Sequence, residues 1–192
     1  MAAKRNLALC KLGYDLMDRK RNVLIRELMM LVDQAKELRG NIEQAYDNAY
    51  ALLQDANITL GVVEQFANSV PVDKHIELET KSVMGVNIPI IRHTQTDPLI
   101  PYGFLNTNTQ LDFAYAAFCN VRDMTLTLAE VDNGVYRLAN AISKTQRRAN
   151  ALQNVLIPRY VSIVRMISDS LEEKEREEFT RMKIIKAQKK ES

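Results

Sequence analysis

The sequence predicts a mainly α fold: a long antiparallel two-helix coiled-coil hairpin with a small β-hairpin at the turn end. Three observations point there. Two long tracts repeat an apolar residue in alternating steps of three and four, and a central stretch between them loses that rhythm. Three of the five Pro and two of the six Gly fall between Met84 and Gly103, inside the central stretch. Composition agrees: 26% of the 192 residues are charged, 6% are aromatic and none is Trp, which suits a thin, solvated helical object better than a thick core.

The first tract runs Leu7, Cys10, Tyr14, Met17, Arg21, Leu24, Leu28, Leu31, Ala35, Leu38, Ile42, Ala45, Ala49, Leu52, Ala56, Thr59, Val63, Phe66 and Val70, with only Arg21 and Thr59 polar. A period of 3.5 held for so long is the signature of a coiled-coil seam. The second runs from Ala114 through Ala117, Val121, Met124, Leu128, Val131, Val135, Leu138, Ile142, Thr145, Ala149, Leu152, Leu156, Arg159 and Ile163 to Met166. It then slips by one residue to Ile167 and Leu171, beyond Pro158. Proline removes a helical hydrogen bond and crowds the preceding turn, so a kink is expected near Pro158. The expected organisation is one elongated domain over 1–192. It comprises a first helix over 4–70, a β-hairpin and loop insert over 71–108, a second helix over 109–186 and a basic tail over 187–192.

At about 1.5 Å per residue, neither tract could wrap around a compact core; the chain must fold back so that the two lie antiparallel. Folding about the middle pairs residues whose numbers total roughly 180. That register would bring Lys4, Arg5 and Lys11 against Asp169, Glu172, Glu173 and Glu175, and it separates Cys10 from Cys119, so no disulfide is expected. In the centre, His75 to Glu79 and Val86 to Ile90 alternate polar with apolar, which reads as a β-hairpin turning at Met84 and Gly85. Thr109 with Asp112 three residues on resembles a helix N-cap.

The chemistry of catalysis is sparse. No Gly-rich phosphate loop or dinucleotide fingerprint occurs. His75 and His93 have no ligand partner at metal spacing, so no metal and no cofactor is expected. No nucleophile–base set can be assembled, and paired carboxylates such as Glu172 and Glu173 sit on a solvated helical face. A net charge of +2 gives no global attraction for nucleic acid. No apolar run approaches 18 residues, so no membrane span is expected and a cytoplasmic location is. The basic clusters Arg19, Lys20, Arg21 and Arg26 on the first helix, with Arg147 and Arg148 on the second, lack aromatic platforms for nucleic acid; they read as a protein-contact collar.

The tract Lys11–Leu28 resembles the first helix of the D subunit of V-type (vacuolar and archaeal-type) rotary ATPases. Thr145–Arg159, with two arginines before Asn150-Ala151-Leu152 and an Ile157-Pro158 downstream, resembles that family's most characteristic segment. Glu173–Lys183, the hairpin tract Met84–Pro89 and the loop Tyr102–Asn108 are similar as well. Asp18, Ala149 and Gln153 depart from the family's usual residues. The resemblance implies a non-catalytic rotor component of the central stalk. Its termini would enter the hexamer of A and B subunits, and its turn end would carry the F subunit and face the funnel-shaped subunit on the membrane ring. It further implies a peripheral place on the cytoplasmic face of the membrane and a part in ion transport and ATP synthesis or hydrolysis. The alternative, a coiled-coil chaperone or clamp of the prefoldin kind, would join shorter helices and assemble through its β-hairpins.

Overall fold

The computed structural model describes residues 2–72, 76–93, 100–103, 105 and 107–191, with side chains to 186. Helix α1 (Ala2–Leu60) is followed by the single turn α2 (Glu64–Ala67), strands β1 (Ile76–Val83) and β2 (Val86–His93), and helix α3 (Thr109–Ala151). A π-helical turn, Leu152–Leu156, then leads into α4 (Ile157–Glu191). His75 and the side chains of the basic tail lie outside the described residues.

The heptad rhythm determines which residues turn inward. On α1 the buried positions are Leu24, Ala35, Ile42, Ala49 and Ala56, the last four spaced by seven. Leu111, Ala114, Val121, Val131, Leu138, Thr145 and Ala149 are buried on α3. All but Leu111 are seam positions of the sequence. The buried alanines let the backbones approach closely, and Leu24 and Leu138, both fully buried, fill the wider layers.

Contacts group the chain into two compact units, Met1–Asn22 with Ser143–Ser192 and Val23–Ile142. In the first, Gly13 lies against Leu152, and Arg21 Nη1 donates to Gln146 Oε1 at 2.8 Å. In the second, Leu31 meets Gly134, Arg39 bonds Asp132 at 3.0 Å, and Tyr50 stands edge-on to Phe118 at 5.6 Å. Near the turn, Thr59 Oγ1 donates to Gln110 Oε1 at 2.8 Å.

The numbers of these partners total 165 to 171, not the roughly 180 expected from the sequence. Asp169, Glu172, Glu173 and Glu175 therefore do not lie across from Lys4, Arg5 and Lys11, and no ion pair joins the two groups among the described residues.

The cause of the shift is an early helix end. The apolar spacing carries the first helix to Val70, but α1 stops at Leu60. Gly61 takes φ +77°, a left-handed conformation that glycine adopts without steric cost, and its N–H closes the helix on Asn57 O at 2.9 Å. At the other side of the turn the N-cap is Asn108 rather than Thr109. Asn108 Oδ1 accepts the Leu111 N–H at 3.0 Å, as a short amide side chain outside the first turn can.

The β-hairpin turns through Met84 (φ 49°) and Gly85 (φ 75°), two left-handed residues in a row, as a tight two-residue hairpin requires. It belongs to the connection between the helices but folds back along α3 (within Val23–Ile142). Ile91 N–H donates to Glu130 Oε2 at 2.9 Å, and Arg137 Nη1 donates to Asn87 O at 3.0 Å. Ile88 and Leu31 both converge on Gly134: a Cβ there would lie 3.1 Å from Ile88 Cγ2 and 3.0 Å from Leu31 Cδ1. The absent side chain at Gly134 is what lets both neighbours seat.

Within Met1–Asn22 and Ser143–Ser192, the irregularity expected at Pro158 lies just before it. The Ile157 N–H bonds Leu152 O, one residue farther back than in an α-helix. Half-buried positions pass from Leu152 and Leu156 to Ile157, Tyr160, Ile163, Val164 and Ser168, while Arg159 is exposed. The seam thus slips by one residue at the π turn, upstream of the slip after Met166 that the sequence suggests. Pro158, which has no N–H to donate, follows directly on this wider turn.

Candidate interaction surfaces

The residues expected to form a cationic collar are placed differently from one another. In the first unit, Arg19, Arg147 and Arg148 are exposed and Lys20 is half-exposed; in the second, Arg26 is exposed. Arg21 is not part of a free collar. It occupies a seam position, forms an ion pair with Asp18, and reaches across to Gln146, whose amide in turn donates to Asn150 Oδ1 at 2.8 Å. An arginine in an apolar seam is costly unless its donors are satisfied, and here Asp18, Gln146 and Asn22 accept them. Its role is to fix the pairing of α1 with α3, in the way a polar seam residue specifies register.

A second inter-helix pin is absent from the sequence expectations. Arg39 Nη2 donates to both Asp132 oxygens, at 3.0 and 3.1 Å. Both residues flank the seam, so only the correct register would have revealed the pair. Its exposure keeps its contribution small, on the order of 0.5 kcal/mol.

At the turn, Ala56, Tyr102 and Leu111 form a small buried cluster, with Leu60, Val63, Phe66, Ile100 and Tyr115 packed against it. Tyr102 meets Phe66 and Tyr115 edge-on, with ring centroids 6.4 and 5.8 Å apart. A largely apolar groove of 340 Å³ opens beside it, walled by Leu53, Val63, Phe66, Val70, Tyr102 and Phe118. The Tyr102 hydroxyl donates to Asp112 Oδ1 at 2.8 Å. Burial, and then this carboxylate, push the Tyr102 hydroxyl well above the usual phenol range.

The folded state therefore holds this proton more tightly than the unfolded chain. The associated stability is complete below the unfolded value near 10 and falls as pH rises beyond it. Tyr102→Phe should cost about 1 kcal/mol at pH 7, from the lost hydrogen bond. It should also flatten the decline in stability above about pH 10 seen in the parent protein; urea titrations at pH 7 and above that value would show both effects.

His93 Nδ1 lies 3.7 Å from Asp123 Oδ1, beside α3. No cluster of three or more metal-ligating side chains occurs among the described residues. Cys10 and Cys119 are half-buried free thiols. No described helix is long and apolar enough to cross a membrane.

On α4 the apolar side chains continue past the paired region. Ile167, Leu171, Phe179, Met182 and Ile185 are all exposed, interleaved with charged residues. Long helices zipped along a heptad seam, with cationic and apolar side chains exposed, define a coiled-coil hairpin protein.

Comparison with known proteins narrows that class. The family model for the ATP synthase D subunit matches residues 1–187, and the chain belongs to that family. It is 41% identical over 188 residues to the V-type ATP synthase D subunit of Thermotoga neapolitana, covering 97% of this chain and 93% of the relative. The A-type ATP synthase D subunit of Thermococcus sibiricus is 35% identical over 96% of this chain and 88% of its own length. That of Methanopyrus kandleri is 35% identical over 94% and 79%.

Proposed function

We propose that this chain is the non-catalytic central shaft of a V-type or A-type rotary ATPase. In this role it couples ATP hydrolysis or synthesis in a hexamer of A and B subunits to ion movement through the membrane. The observation that carries the reading is the match to the D subunit family along nearly the whole chain, 1–187. The helical hairpin supports it, because a shaft needs stiffness along its length and a surface that differs around its circumference.

A rotor can impose order on catalytic sites only through unequal contact. A partner shifts an equilibrium by its differential affinity for the states concerned and by nothing else. The exposed cations Arg19, Arg147 and Arg148 and the exposed apolar residues of α4 occupy the same unit, Met1–Asn22 with Ser143–Ser192. The A and B subunits would meet them in the hexamer. Arg26 would extend the cationic contact, and long-range charge would guide the shaft without a deep sticking point. The F subunit and the funnel-shaped subunit on the membrane ring would dock on the unit Val23–Ile142. The complex would hold the chain peripherally on the cytoplasmic face of the membrane.

The test is reconstitution with the A, B and F subunits. A bead attached through Leu105→Cys, at a highly exposed turn position, should rotate in one direction when ATP is supplied. A chain that assembles with the hexamer while the bead stays still, with hydrolysis running, would rule out the shaft role.

A further inference from the structure

The two edges of the β-hairpin are unequal. Next to a two-residue turn, Val83 and Val86 form the hydrogen-bonded pair, so bonding alternates outward from them. Asn87, Pro89 and Ile91 then direct their backbone groups away from β1. Three observations agree: Arg137 takes Asn87 O, Glu130 takes Ile91 N–H, and proline sits where no N–H is required. Helix α3 thus covers the β2 edge. On β1 the outward groups belong to Ile76, Leu78, Thr80 and Ser82, and the sheet has only two strands among the described residues. Seven of the eight β1 residues are exposed. An uncovered edge of this length is a template for another strand.

We propose that β1 pairs antiparallel with β1 of a second copy of this chain, about a two-fold axis at Thr80. The outward backbone groups then meet one another: Thr80 faces Thr80, and Leu78 faces Ser82 in both directions. In the intervening pairs, where side chains approach most closely, Glu79 faces Lys81 twice and Glu77 faces the neutral Val83. Neighbouring registers are worse. Centring on Leu78 sets Glu77 on Glu79 twice, a two-fold between Leu78 and Thr80 sets Glu79 on Glu79, and one between Thr80 and Ser82 sets Lys81 on Lys81.

Glu79, already paired with Arg92 at 2.8 Å, would gain a second cation. Each α3 lies on the far side of its own hairpin, so the edges meet unobstructed. Pairing uses the open edge of both copies and leaves none, so assembly closes at two. Such a dimer would form from the chain outside any larger assembly, whether or not the chain also serves as a shaft.

The experiment is sedimentation velocity on the full chain across a concentration series. A dimer should appear with rising concentration. Thr80→Pro removes an outward N–H without touching the hairpin's own bonds, and should weaken dimerisation at least about tenfold. Glu79→Lys and Lys81→Glu should each abolish self-pairing, because each sets like charges opposite twice. Mixed in equal amounts, the two charge variants should pair with each other. A chain that stays monomeric at every concentration would overturn the proposal. So would a dimer indifferent to Thr80→Pro, or charge variants that fail to pair when mixed while circular dichroism shows both folded.

Discussion

Removing residues 172–192 should leave ATP hydrolysis by the reconstituted complex within about twofold of the full-length level, while ion pumping driven by it falls about tenfold or more. From Leu171 to Lys186 every residue is exposed, so these side chains add little to the stability of their unit. The hairpin should fold and assemble without them. In the proposed shaft role they would offer an apolar and charged surface to a surrounding partner, and loss of differential contact would weaken coupling before it weakens assembly. Tenfold corresponds to about 1.4 kcal/mol of lost preference between angular states, within the ordinary range of coupling energies. Parallel assays of hydrolysis and of ion uptake into vesicles would measure the ratio. Intact coupling after the truncation would remove α4's end from the mechanism.

Leu138→Ala should destabilise the unit Val23–Ile142 by about 3 kcal/mol, the usual range for a leucine cut back in a well-filled layer. Leu138 is fully buried on α3, and the seam is one layer thick, so no second shell can collapse into the gap. Leu171→Ala, on a side chain 55% exposed, should cost less than about 0.5 kcal/mol. Urea unfolding followed by circular dichroism would give both values. Equal costs at the two sites would mean that the heptad phase does not define the interior.

That phase is legible in the sequence because a seam leaves a periodic record. Every residue on the three–four ladder from Leu7 to Ala56, and from Ala114 to Leu156, is buried or half-buried. The end of α1 leaves no such record. Val63, Phe66 and Val70 keep the ladder's spacing and are half-buried, although the helix has already stopped. They reach the Tyr102 cluster from a turn, and periodicity cannot distinguish the two ways of arriving. Gly61 is the available signal, since glycine after an apolar run is a common helix terminator. The register error follows directly: Leu60 and Thr109, the actual helix ends, total 169.

Of the proposed contact residues, the sequence makes exposure legible in part. Arg19, Arg26, Arg147 and Arg148 lie where an amphipathic pattern puts them, on exposed faces. Arg21 resembles their companion because it sits in the same basic run, yet its ladder position turns it inward onto Gln146. Glu130, Gly134 and Arg137 carry no signal of their own, since their value lies in meeting the hairpin, and a contact between distant segments has no local signature.

The π turn at Leu152–Leu156 has a geometric consequence. One additional residue advances a helix by about 100° of azimuth. Everything on α4 therefore points a little over a quarter-circle away from where an unbroken α-helix would aim it. Without that offset, Arg159 would be driven between the helices and Tyr160 turned out to water. A single surplus residue thus acts like the index mark on a dial, choosing the bearing on which Phe179, Met182 and Ile185 confront whatever surrounds them.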